Sequence, residues 1–153
     1  MGNVFKNKWP WLLALVSVNV MSQPISIDSG WIRLLPPSIE NTAAYLQITN
    51  LTDESQEILG IEASISSKAE VHRSYIENGL MRMEPVKAFS IAPGATFSMP
   101  ADGTHIMLIG LRSPLEVGQF HKLCLSLDNG SRVCREVEVL NNLTSGSYDR
   151  HNH

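Results

Sequence analysis

Two histidines and two methionines stand in this chain at a spacing that could hold a metal ion: His72, ten residues, Met83, twenty-one residues, His105, one residue, Met107. Imidazole nitrogen and thioether sulfur make a soft, neutral donor set, better matched to monovalent copper than to zinc, calcium or magnesium. A lone histidine or methionine would more simply be a packing residue. Here the distribution argues otherwise. Met1 is the initiator and Met21 lies in an apolar leader, so the four remaining methionines, Met81, Met83, Met99 and Met107, all fall within residues 72–107, beside both histidines. Met99, directly before Pro100 and outside any matched spacing, reads as core filler. Met81, two positions before Met83, reads as an auxiliary thioether donor only if strand twist brings it to the site. In an oxidising compartment thiols tend to be lost to disulfides, whereas thioethers persist and still offer Cu(I) a soft donor. Such a set suits carrying and handing over a metal. It suits catalysis less, because no carboxylate holds a motif position to act as a base; Glu84 merely adjoins Met83.

The elements that must position these residues are short strands. Alternating or continuous apolar runs at 31–34, 43–49, 57–63, 69–75, 80–86, 88–91, 96–99, 105–111, 122–127 and 133–140 read as β-strands. They are punctuated by Pro36-Pro37, Asn78-Gly79, Pro93-Gly94, Asp102-Gly103 and Asn129-Gly130, which favour turns and interrupt ladders. No stretch keeps a helical period. Many short strands at this spacing predict an all-β Greek-key sandwich. Residues two apart on a strand share a face, which pairs His105 with Met107 and Met81 with Met83. The segment Ile76-Glu77-Asn78-Gly79 reads as the hairpin connection that folds the strand of His72 against that of Met83.

The last two strands form a second hairpin. A three-residue loop over Asp128-Asn129-Gly130 sets Leu127 opposite Ser131, and counting outward sets Cys124 opposite Cys134, the only two cysteines of the chain. In an exported protein the plain reading is a structural disulfide. The alternative, a copper-binding or redox-cycling pair, lacks the C-x-x-C spacing that tunes thiol reactivity.

Export is itself an expectation from the N-terminus. Lys6 and Lys8 precede an apolar run at 12–20, and Val20-Met21-Ser22 stands before a plausible cut at Gln23, so residues 1–22 read as a secretory signal peptide. The run is short for a membrane span, which needs roughly 20 apolar residues; an uncleaved anchor is the alternative. Loss of Lys6 and Lys8, with no acidic residue in that stretch, takes the formal charge from -3 to -5. There is no basic stripe of the kind nucleic acid requires. One domain at 23–141 follows, without internal repeat or linker, then a polar tail at 142–153 that reads as disordered. Its His151 and His153 could take up Cu(II) as a secondary ion. Trp31 reads as a core or edge anchor and His121 as an exposed histidine apart from the site. Asn50-Leu51-Thr52 and Asn142-Leu143-Thr144 match the glycosylation pattern, which matters only in a glycosylating host.

The motif and its surroundings resemble the PCuAC periplasmic copper chaperones, small secreted domains whose pattern is His, ten residues, Met, twenty-one residues, then His-x-Met. His72, Met83, His105 and Met107 satisfy each interval. Flanking blocks agree: Gly30-Trp31-Ile32-Arg33 with Pro36-Pro37, Thr42-Ala43-Ala44-Tyr45-Leu46, Gly79-Leu80-Met81-Arg82-Met83, and Gly103-Thr104-His105-Ile106-Met107-Leu108-Ile109-Gly110-Leu111. The likeness spans about residues 28–140 and departs at Arg73, where many members carry a second Met directly after the first His. It implies a cupredoxin-like β-sandwich, capture of Cu(I) in the periplasm, and delivery toward the copper centre of cytochrome c oxidase, with the copper-site subunit of that oxidase and Sco-type thiol proteins as partners. Competing readings are copper storage or resistance, a secreted structural sandwich in which Met and His merely pack, and a small copper oxidase or a thiol reductase built on Cys124 and Cys134. The enzyme reading finds no nucleophile elbow, phosphate loop or paired carboxylates to support it.

Overall fold

Period-two alternation of apolar and polar residues writes ten strands into the chain, and a computed structural model describing residues 23–99 and 103–141 carries all ten. They are β1 (Ile25–Arg33), β2 (Asn41–Asn50), β3 (Gln56–Ala63), β4 (Ser66–Glu77), β5 (Leu80–Val86), β6 (Phe89–Ile91), β7 (Thr96–Ser98), β8 (Thr104–Leu111), β9 (Phe120–Leu127) and β10 (Arg132–Leu140). No described residue is helical. The main difference from the sequence expectation is β1, which begins six residues before Trp31. Ser26, Asp28, Ser29 and Gly30 disguise it as loop. Ile25 and Ile27 are nonetheless buried, and a register shift between Ile27 and Ser29 absorbs the irregular stretch.

Hydrogen-bonded neighbours run in the order β5-β4-β8-β2-β1-β10-β9-β3-β6, with β7 also on β2. Every pairing is antiparallel except β1 with β10, which joins the two chain-terminal strands of the described domain. The path folds back on itself, so β3 near one end packs against β4 near the other. Ile32, Ala44, Ile48, Ile58, Val71, Ile106, Leu108, Leu123, Leu125, Val137 and Val139 then meet in one core, the interior of an all-β sandwich as expected.

Both predicted hairpins form. Asn78 and Gly79, at φ 52° and 78°, make the two-residue turn between β4 and β5, where positive backbone angles match strand twist. Between β9 and β10 Gly130 stands at φ 81°, the Leu127 amide donates to the Ser131 carbonyl at 3.0 Å, and Cys124 pairs with Cys134 in register. The two cysteines are joined as a disulfide with Cα atoms 4.0 Å apart.

Candidate metal centre

Strand register decides where the four motif residues go. Residues paired across a ladder share a face of the sheet. His72 on β4 lies directly opposite His105 on β8, and two positions along the same strands Glu70 lies opposite Met107. On the other side of β4, Ser74 faces Met83 and Ile76 faces Met81. Parity therefore sets His72, His105, Met107, Met83 and Met81 on one face. Val71, Ile106 and Leu108, interleaved with them, turn to the core. The sequence placed His105 with Met107 and Met81 with Met83; the direct His72–His105 opposition comes from the β4–β8 pairing, which alternation alone does not reveal.

The two imidazoles have ring centres 6.1 Å apart. Two rings sharing one ion at about 2 Å from each ring nitrogen have centres no more than roughly 6.5 Å apart. The observed separation meets that limit. His105 is buried, 5% exposed, and its Nδ1 lies 3.0 Å from the Gly103 carbonyl oxygen. A carbonyl only accepts, so Nδ1 carries the hydrogen and Nε2 keeps a lone pair. On His72 the roles reverse: Nε2 lies 3.2 Å from Glu70 Oε2, whereas Nδ1 is buried without a hydrogen-bond partner. A buried nitrogen lone pair with nothing to bind is an unfavourable arrangement that a bound cation would relieve.

Met83, His105 and Met107 line one cleft with Arg33, Asn41 and Tyr45. Met83 is half exposed, at 52%, so the cleft opens toward solvent along β5, the edge strand. Tyr45 is the aromatic side chain of its lining: its ring centre lies 6.4 Å from that of His105, and Trp31, outside the lining, stacks on it with ring centres 4.4 Å apart. The Arg33 guanidinium sits 5.7 Å from the Tyr45 ring centre. Burial pushes the Tyr45 phenol up from its ordinary value, and the Arg33 charge opposes that rise. The Glu70 carboxyl is held below the usual carboxylate range, first by its hydrogen bond from Lys68 and then by that from His72. Among the described residues no three His, Cys, Asp or Glu side chains converge as a metal-holding group. Met83 and Met107 stand on the same face of the sheet as the two imidazoles and share the cleft with His105, while His72 lies beside it on β4 and does not line that cleft.

Other expectations divide. Met99 is buried, 6% exposed, as core filler. Met81 is 72% exposed beyond Met83, on the same face. Arg73 follows His72 and so lies on the opposite face of β4, opposite Glu84 and Thr104; a methionine there would also point away from His72, and the departure takes no donor from this face. His121, expected to be exposed, is half-buried with Nε2 3.3 Å from Gln119 Oε1, and burial lowers its pKa against the opposing charge of Glu136. Trp31 is a partly buried anchor on the core, as expected. Asn50, 1% exposed, donates through Nδ2 to the Glu54 and Ile91 carbonyls at 2.7 and 2.9 Å, so its role is internal. The signal peptide at 1–22, the tail at 142–153 with His151 and His153, and Asn142 lie outside the described residues. Sequence reasoning passed over Glu70 and Lys68, although Glu70 stands two positions before His72 and strand parity alone sets them on one face.

Comparison with known proteins agrees with this architecture. The family described as "Putative lipoprotein LpqE-like" matches residues 25–139. "Putative lipoprotein Lxx21020" of Leifsonia xyli subsp. xyli is 30% identical over 108 residues, covering 70% of this chain; the chain spans 64% of that relative's length. Apo-DR1885 from Deinococcus radiodurans is similar with a TM-score of 0.63 at 25% identity, over 94% of this chain and 98% of that one. Its CuI form gives 0.60 at 26% identity, over 82% and 85%. The copper-bound PCuAC domain from PmoF2, at 17% identity and a TM-score of 0.65 over 78% and 94%, shares the fold. The cupredoxin-like sandwich implied by the resemblance to PCuAC domains is thus the observed fold. Over residues 25–139, nearly the whole described domain, the chain belongs to the LpqE-like family.

Proposed function

We propose that this chain is a copper carrier that binds Cu(I) through His72, Met83, His105 and Met107 outside the cytoplasm. One observation carries the reading: His72 and His105 are directly opposed on β4 and β8, and the His72 ring turns a buried, unpartnered Nδ1 away from its carboxylate partner. Met107 and Met83 stand on the same face to complete a soft set. The likeness to DR1885, solved in a CuI form, supports monovalent copper as the cargo. Relatives described as lipoproteins support an extracytoplasmic location, and the leader read at 1–22 supports export to the periplasm. The neutral, half-open donor set suits transfer over catalysis, and the copper-bound PCuAC domain from PmoF2 and CuI-DR1885 support copper as the cargo. Delivery runs toward the copper centre of cytochrome c oxidase, with its copper-site subunit as recipient and Sco-type thiol proteins as companions. Cu(II) at His151 and His153 is a secondary event.

The test is a competitive Cu(I) titration with X-ray absorption on the loaded protein. One ion per chain with mixed nitrogen and sulfur ligation is expected. Replacing Met83 and His105 together by Ala should abolish stoichiometric binding while circular dichroism still reports the β-sandwich; undiminished binding would defeat the reading. Incubating the loaded chain with the apo copper-site subunit then tests delivery, and copper that stays with the chain would refute that recipient.

A further inference from the structure

We infer that Glu70 is the positioning residue of the copper site: by accepting the Nε2 hydrogen of His72 it leaves Nδ1 as the metal-binding nitrogen of that ring, so the two imidazoles bind one ion through different nitrogens, His72 through Nδ1 and His105 through Nε2. This rests on the copper-carrier reading above and goes beyond it in assigning the ring nitrogens and a residue that fixes them.

Three contacts carry the inference. Glu70 and His72 are two apart on β4 and share a face, which brings Glu70 Oε2 to 3.2 Å from His72 Nε2. Glu70 is itself held: Lys68 Nζ donates to Oε1 at 2.6 Å, so one oxygen is anchored and the other is left for the imidazole. The remaining nitrogen of His72 is buried and unpartnered, so it presents a lone pair that no protein group uses. His105 is fixed in the complementary tautomer by the Gly103 carbonyl. A metal-binding imidazole commonly donates its second ring N–H to a carboxylate or backbone carbonyl, which fixes ring and tautomer and makes the ring a better donor. Here one histidine uses each kind of acceptor, from opposite ring positions. Lys68-Glu70-His72, all of one parity on β4, forms a relay of contacts that ends at the lone pair.

The test uses the full chain labelled with 15N and two variants, Glu70→Ala and Glu70→Gln. Long-range 1H–15N spectra should report the Nε2–H tautomer for His72 and the Nδ1–H tautomer for His105. Added Cu(I) should move the His72 Nδ1 and His105 Nε2 resonances. Glu70→Ala should mix the His72 tautomers and weaken Cu(I) binding about 10- to 100-fold. Glu70→Gln keeps an oxygen that can accept from Nε2 and should bind within about threefold of the natural chain, a rescue that loss of carboxylate charge alone would not give. Copper shifting His72 Nε2 instead, or Glu70→Ala binding as tightly as the natural chain, would overturn the inference while leaving the carrier reading in place. A natural chain that takes up no stoichiometric Cu(I) would overturn the reading beneath it. If Glu70→Ala proved unfolded by circular dichroism, the ring-nitrogen shifts of the natural chain and the Glu70→Gln affinity would still decide.

Discussion

At the residue scale the proposed donors differ in how much else depends on them. His105 is buried and tied to Gly103, so its removal costs packing and a hydrogen bond as well as a donor. Methionine to leucine is the cleaner change, because it keeps side-chain volume and removes only the sulfur. Met83→Leu and Met107→Leu should each weaken Cu(I) binding by tenfold or more in a competition assay, with thermal midpoints within a few degrees of the natural chain. Met81→Leu should change affinity by less than about threefold, because Met81 is 72% exposed and its ladder partner is Ile76, two positions beyond the Ser74–Met83 pair. Equal losses at positions 81 and 83 would mean that the hairpin rearranges on loading. The spacing of histidine and methionine is what pointed to the candidate site in the sequence, and strand register sets those four residues on one face. Glu70 was passed over: parity sets a glutamate on the face of a histidine two residues away, but only the side-chain geometry shows which ring nitrogen it meets.

At the element scale the β4–β5 hairpin is the part most exposed to a single substitution, since it alone brings Met83 to the site. Gly79 sits at φ 78° with open space around the position its Cβ would take, so a substitution there meets backbone strain and no steric clash. Gly79→Val should cost about 1–2 kcal/mol, the penalty for left-handed backbone in an L-residue. It should also weaken Cu(I) binding more than any change at the β9–β10 hairpin does. The disulfide provides the contrast. It lies between β9 and β10, toward the other end of the strand path from β5. The double change of Cys124 and Cys134 to Ser should cost about 2–4 kcal/mol in denaturant unfolding, yet leave Cu(I) affinity unaltered; a parallel loss of copper would tie the cysteines to the site. Both hairpins were readable because their turn residues demand particular backbone angles. The first half of β1 was not, because Ser26, Asp28, Ser29 and Gly30 carry loop chemistry and only burial of Ile25 and Ile27 makes it a strand. Gly30 itself is required by packing: a Cβ there would come within 2.9 Å of the Tyr45 carbonyl oxygen and also meet the Leu46 side chain.

At the scale of the whole molecule, strand order could not be read from alternation, because the β1–β10 and β4–β8 pairings join segments far apart in the chain. Those pairings also divide the labour of the sandwich: the strands that turn Val71, Ile106 and Leu108 into the core turn His72, His105 and Met107 to the other face. On the proposed reading, loading and unloading copper need no rearrangement of the core, and the fold and the metal should respond to acid separately. Protons compete with copper for imidazole nitrogen and not for thioether sulfur, so acidification should release an ion held by such a donor set. Glu70 titrates elsewhere. Its carboxyl lies below the ordinary carboxylate range, held there by Lys68 and then His72, so the stability it contributes is present above the ordinary value and is lost only as pH falls through the lowered one. Copper should thus leave at a pH where the β-sandwich, its core and its disulfide are still intact. A pH titration following Cu(I) retention by competing chelator alongside near-ultraviolet circular dichroism checks this. Two separate transitions, copper first, are expected; a single coincident transition would mean that the metal is built into the stability of the fold and is not carried on its face.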